Sequence, residues 1–266
     1  MKHSNRVLQF SSLAIVALLL VSTGCQKLKA RDELNKGVNA FKQLQYPAAV
    51  EHFKLAIEHD PTMVNARLYL ATAYANQYVP GADSESNTQV GEQAITEFQK
   101  VLVGDANNTG SISGIASLYF QMKKFDDAKE WYKRHVALDP TNAEAFYSIG
   151  VINWTQTYQP RMELKKKLNL RPDEPIKDAK ERAALAEKNM PLVEEGIQML
   201  DKAMAARAEY DDAMAYQNLL YRERADIVES AAEREDLLNR ADEMVEQSLA
   251  IKKKRASTET AGQVVN

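Results

Sequence analysis

The sequence predicts an all-α fold built from repeated helical hairpins, and three observations carry that reading. Glycine and proline are scarce, 10 and 8 in 266 residues, while Ala, Leu, Glu, Lys and Gln, which lose little freedom in a helix, are abundant. Apolar residues recur at helical spacing, as at Ala49, Phe53, Ala56 and Ile57, so one face of each segment is coded for burial. Small residues then return in phase: Ala94 and Ala128 are 34 positions apart, and Ala49 and Ala94 are 45 apart. A fixed period of this size marks a repeat architecture, in which each hairpin buries its apolar face against the next.

The chain opens with Lys2 and Arg6 and continues in an uncharged run from Val7 to Val21. A basic start, a short apolar stretch and the small residues Ser22, Thr23 and Gly24 predict a secretory signal peptide over residues 1–24. The run is broken by Gln9, Ser11 and Ser12, and crossing a bilayer takes about 20 apolar residues. Cys25 is the sole cysteine, which excludes an intramolecular disulfide and a multi-cysteine metal site. Ser22-Thr23-Gly24-Cys25 resembles the lipobox of bacterial lipoproteins, in which the cysteine sulfur receives a diacylglyceryl group. That resemblance implies lipidation of Cys25 as the new N-terminus, a lipidated stretch over 25–29 and attachment to a membrane of the bacterial cell envelope. Gln26, where Asp would favour inner-membrane retention, implies the outer membrane, facing the periplasm.

The repeats follow. Residues 34–61 read as two amphipathic helices around Gln45-Tyr46-Pro47, with Pro47 suited to a first helical turn and Asp60-Pro61 closing the unit. Further units begin at Val64, with Ala71, Tyr74, Ala94 and Phe98, and at Thr109, with Ala116, Tyr119, Ala128, Tyr132 and Pro140. A fourth begins at Ala143 and finds its second helix only at PLVEEGIQMLDKAMA; a fifth runs from Asp211 to Val245. Residues 76–87 hold an insertion that lengthens one hairpin, and residues 156–189 hold a second of about one repeat length, punctuated by Pro160, Pro172 and Pro175. This pattern resembles the tetratricopeptide repeat, with Gly37, Ala49, Phe53 and Pro61 at its small, aromatic and proline positions. Ala106 and Ala208 stand at proline positions and Asn218 at a small one. The resemblance implies a solenoid of about five hairpins over residues 30–252 with a helical insertion in the fourth; the tail, 253–266, is expected to be disordered.

It also implies a concave groove lined by the first helix of each hairpin, where extended peptides lie. Carried onto this chain, the lining positions include Arg31, Leu34, Phe41, Lys42, Asn65, Leu68, Asn76, Phe120, Tyr147, Val151 and Trp154. Leu34 and Val38 stand where relatives that clamp a terminal carboxylate place Lys and Asn, so that mode is not expected. The insertion concentrates Arg161, Lys165, Lys166, Lys167 and Arg171, read either as a solvated helical face or as a docking patch for an acidic partner or anionic headgroups.

The residues predict no enzyme chemistry. His52 and His59 are seven apart, too far for a helical zinc pair, and no HExxH, GxSxG or phosphate-binding glycine loop is present. No cofactor and no metal are expected. The net charge of −3 gives no electrostatic footprint for nucleic acid. The expectation is a lipid-anchored periplasmic scaffold that binds a protein or peptide and supports assembly of an envelope complex. The alternative is an envelope enzyme or transport component with its site in residues 156–189.

Overall fold

The computed structural model describes residues 24–263, with side chains through Thr258. Among these residues all regular structure is helical, as the composition predicts. The ten helices are α1 (24–42), α2 (Tyr46–His59), α3 (Val64–Gln77), α4 (Glu85–Gly104), α5 (Thr109–Gln121), α6 (Phe125–Leu138), α7 (Ala143–Lys167), α8 (Ala179–Ala206), α9 (Asp211–Ile227) and α10 (Ala231–Gln263). The chain divides into two compact units, one ending at Met122 and one beginning at Lys123. The expected signal peptide, residues 1–24, lies outside the described residues apart from Gly24.

In the first unit, helices adjacent in sequence pack against each other. Ala40, Ala49, Val50, Phe53, Leu70 and Ala73 form a buried core, with Leu34, Val38, Phe41, Ile57 and Tyr74 packed on it. Phe53 fills the gap left by a missing side chain: a Cβ on Gly37 would lie 2.5 Å from its ring. The link from α2 to α3 is fixed by Asp60, whose carboxylate accepts from the Thr62 amide and hydroxyl at 3.1 and 2.6 Å. Asp105 accepts from the Asn107 amide in the next such link, so Ala106 at the proline position leaves this turn intact. The first insertion is shared between a loop and a longer α4. Asn87 laces that loop, accepting from the Val79 amide and donating to the Val79 and Ala82 carbonyls, while Ser84 caps the helix.

The second unit repeats the link from α6 to α7, where Asp139 accepts from the Thr141 amide and hydroxyl. The hairpin that follows differs in length. α7 and α8 have 25 and 28 residues, against 14 in α2 and in α6. The long insertion is therefore an extension of both helices of one hairpin plus the linking residues 168–178. Pro160, expected to punctuate the chain, sits inside α7 and does not end it. An internal proline costs about 3 kcal/mol; the helix continues because Arg161, the next residue, and Lys165, a turn further on, are fastened to α9. Gly150 admits Leu200 of α8, since a Cβ there would meet the Leu200 side chain at 2.6 Å.

The C-terminal expectation is corrected. α10 continues to Gln263, so residues 253–263 of the tail are helical. Lys254 pairs with Glu209 and Arg255 with Asp211, while the Ser248 hydroxyl donates to the Asp211 carbonyl. The composition of the last residues reads as coil, but cations just ahead of them bind the helix to the turn before α9.

Candidate functional site

Helix α7 presents two stripes toward its neighbours, and both follow from spacing. Asn153, Thr157, Arg161 and Lys165 lie four apart and are all buried. Tyr147, Trp154 and Tyr158, at the i, i+7 and i+11 positions, form a second, partly exposed stripe on the α9 side.

The buried stripe is polar along its length. Asn153 donates to Glu195 of α8 at 3.0 Å and accepts from Lys129 of α6 at 3.1 Å. Asn189 of α8 donates to the Thr157 carbonyl. Arg161 donates to Asp226 of α9 at 2.7 Å, and its Nε lies 2.9 Å from Glu223 Oε1, out of line for a hydrogen bond. Lys165 is 1% exposed; it pairs with Asp226 and donates to the Pro172 carbonyl at 2.7 Å. Two cations thus face two carboxylates in a water-poor seam. Burial pushes the Glu223 carboxyl up to about 7, against the opposing pull of Arg161, and burial lowers the Lys165 ammonium against the pull of Asp226.

This corrects the expectation for the insertion's basic residues. Arg161 and Lys165 belong to no surface patch, because the phase of α7 turns them onto α9 where Glu223 and Asp226 await them. Lys166, Lys167 and Arg171 are exposed; Lys167 pairs with Glu181 and Arg171 with Glu174.

The second stripe is aromatic. Tyr216 of α9 meets both Tyr147 and Trp154 edge-on, with ring centroids 5.6 and 5.4 Å away, and Tyr147 also meets Tyr210 at 5.2 Å. Trp154 lies 5.1 Å from Tyr158, and the Arg161 guanidinium sits 5.6 Å from the Tyr158 ring. Beyond Tyr158 the surface opens into a cleft of about 410 Å³. Its walls come from Trp154, Tyr158 and Arg161 of α7, Pro172 and Asp173, Leu219, Arg222 and Asp226 of α9, and Arg234 and Leu238 of α10. Edge-to-face rings held in place by one another are an apolar contact surface with little motion to lose on binding.

The other expected lining positions are distributed as follows. Tyr147 and Trp154 are brought together through Tyr216. Val151, between them in sequence, is buried and lines nothing. In the first unit Leu34 and Phe41 pack onto the core, and Phe41 meets Tyr46 edge-on at 5.3 Å. Leu68 and Phe120 are half-buried, while Arg31, Lys42, Asn65 and Asn76 are exposed. The spacing rule did not select Tyr158, Tyr216, Leu219, Arg222, Arg234 or Leu238. Tyr158 was within reach, four residues after Trp154; the others require knowing which helices lie beside α7.

Cys25 is exposed in the first turn of α1. Of the histidines, His52 pairs with Glu33 across α1 and α2, and buried His135 is held below its usual range by desolvation. Among the described residues no group of three or more His, Cys, Asp or Glu is placed to hold a metal, and no helix is long and apolar enough to cross a membrane.

Comparison with known proteins agrees with this architecture. Residues 116–156 match the TPR repeat family. The chain is 30% identical over 117 residues to Hsp70-Hsp90 organizing protein 3 of Arabidopsis thaliana, covering 43% of this chain and 19% of that protein. It is 29% identical over 120 residues to Hsp70-Hsp90 organizing protein of Triticum aestivum, covering 45% and 19%. The chain thus spans about a fifth of the length of these curated relatives. Among solved structures it resembles MamA 41-end from Desulfovibrio magneticus RS-1, with a TM-score of 0.57 and 16% identity over 85% of this chain and 96% of that one. The chain therefore has the all-helical tetratricopeptide-type repeat fold that its spacing predicts.

Proposed function

We propose that this chain is a lipid-anchored scaffold of the bacterial envelope that holds a polypeptide segment along the α7–α9 face of its second unit. The carrying observation is the aromatic row of Tyr147, Trp154 and Tyr158, locked through Tyr216 and still partly open to solvent. Rings of this kind dominate protein recognition because they supply large contact areas and lose few rotamers. The row follows an extended line along one helix, which suits a chain segment better than a compact metabolite. The likeness to proteins named as organisers of Hsp70 and Hsp90 supports a role in gathering polypeptide partners. Of the insertion's basic residues, Arg161 and Lys165 are committed to α9 and are withdrawn from any docking patch there.

The anchoring half of the reading rests on the leader-like N-terminus and on exposed Cys25 in the first described turn of α1. Each buried acyl methylene contributes about 0.8 kcal/mol, and two or more chains hold a protein where one does not. Cys25 lies five residues ahead of buried Ala30, which puts the helical body close to the bilayer.

The test replaces Tyr158 with a benzophenone amino acid in native envelopes and identifies the crosslinked species by mass spectrometry. A discrete protein adduct, lost when Trp154→Ala is added, is expected; capture of lipid alone or of nothing overturns the binding face. Radiolabelled palmitate is expected in the wild type and absent from Cys25→Ala, and equal labelling of both overturns the anchor.

A further inference from the structure

The cleft beyond Tyr158 contains a cation that the fold does not use. Arg161 and Lys165 at its floor are matched by Asp226 and Glu223. Arg222 donates to Asp242 at 2.6 Å and to Asn218 at 2.9 Å. Asp173 on the rim lies 3.7 Å from Arg171. Arg234 remains: among the described residues its guanidinium makes no ion pair, and its Nε is buried without a hydrogen bond. The half-buried Arg234 side chain stands beside Trp154, Tyr158, Leu219 and Leu238 with its Nε shielded from water and unpartnered in the free protein, and a carboxylate is the group whose geometry matches its fork.

We propose that this cleft seats one acidic side chain of the bound segment, with its carboxylate on Arg234 and an adjacent apolar side chain between Leu219 and Leu238. The inference rests on the polypeptide reading of the α7–α9 face and names what that face selects. The charge balance sets the ligand's valence. Arg234 is the cleft cation without an ion-pair partner among the described residues, and Asp173 and Asp226 line the same cleft, so a single carboxylate fits where a phosphate dianion is repelled. Arg234 lies on α10, the second helix of its hairpin, away from the first-helix positions at which related repeats clamp a terminal carboxylate, so an internal acidic residue is the occupant.

The test uses the purified full chain on an array of N-acetylated, C-terminally amidated 12-residue peptides, each with Leu-Ala-Glu, Leu-Ala-Gln or Leu-Ala-phosphoserine at its centre. Preference for Glu over Gln by about tenfold is expected, the scale of one charge-assisted hydrogen bond. Arg234→Met should remove that preference without weakening the Gln peptides, and Arg234→Lys should keep part of it. In the wild-type chain the Arg234 Nε–Hε NMR signal should move on adding the Glu peptide and stay on adding the Gln peptide, which reads the contact without a variant. Binding with no acidic preference, a preference that survives in Arg234→Met, or an unmoved signal overturns the carboxylate seat and leaves the aromatic face standing. Phosphoserine binding above Glu overturns the charge count. Preference for free over amidated C-termini overturns the internal occupant. Failure to bind any peptide overturns both the seat and the polypeptide reading.

Discussion

The seam between α1 and α2 and the seam between α7 and α9 solve one packing problem with different chemistry. In the first, Gly37 gives up its side chain so that the Phe53 ring can enter, and Ala40, Ala49 and Ala73 keep the helices near. Specificity there is steric: the ring enters only where no Cβ stands. In the second, the far half of α7 meets α9 through Arg161, Lys165, Glu223 and Asp226, and the fit is set by charge count. A steric seam tolerates apolar exchange of similar volume, whereas a charged one tolerates joint removal far better than loss of one member.

The largest expected effect breaks the charged seam at one point. Asp226→Ala leaves Arg161 and Lys165 facing each other without water and should cost about 3–5 kcal/mol, read from urea unfolding followed by Trp fluorescence. The joint change Arg161→Met, Lys165→Met, Glu223→Leu and Asp226→Leu should be neutral or stabilising. A quadruple variant weaker than Asp226→Ala would show that the charges hold the seam directly.

The next effect is pH dependence. The folded Glu223 carboxyl titrates near 7, above its ordinary 4.5, because of burial. The folded state therefore keeps a proton that the unfolded chain has released, so this group's contribution falls as pH rises from about 4.5 to about 7. The fall is on the order of 2–3 kcal/mol. Glu223→Gln should flatten that part of the stability curve, and an unchanged slope in the variant would assign it elsewhere.

The smallest effect sharpens the steric side. Gly37→Ala gains helix propensity of about 1 kcal/mol yet forces the Phe53 ring aside, for a net loss of about 1–2 kcal/mol. Adding Phe53→Leu should recover part of it, and a Gly37→Ala chain as stable as the wild type would mean that the ring has room to move.

What could be read from the sequence follows the same division. Gly37, Ala49 and Phe53 announce the steric seam because small and large residues in a fixed phase carry their meaning locally. The Asp60 and Asp139 turns are equally local, since each carboxylate caps a residue two positions on. Arg161 and Lys165 read as solvated charges because their partners lie about sixty residues downstream, and nothing nearby reveals that pairing. One signal was present: Asn153, Thr157, Arg161 and Lys165 continue the buried phase of Ile149 without a break. Helical phase outranked charge. The tail failed for a related reason, as its order comes from Lys254 and Arg255 reaching the turn before α9. The arginine cleft needs helices α7, α9 and α10 side by side, which spacing within one helix does not reveal.

The segment joining α7 to α8 has a practical consequence. With three prolines around it and Lys166, Lys167 and Arg171 on its approach, it reads as a ready site for trypsin. Yet Lys165 grips the Pro172 carbonyl, Arg182 donates to the Ile176 carbonyl, and Ile176 is 2% exposed. A protease must draw an extended stretch of chain into its active site, and here each end of the segment is stitched to a helix. The tip of the long hairpin should resist nicking for as long as the buried charges behind it stay paired.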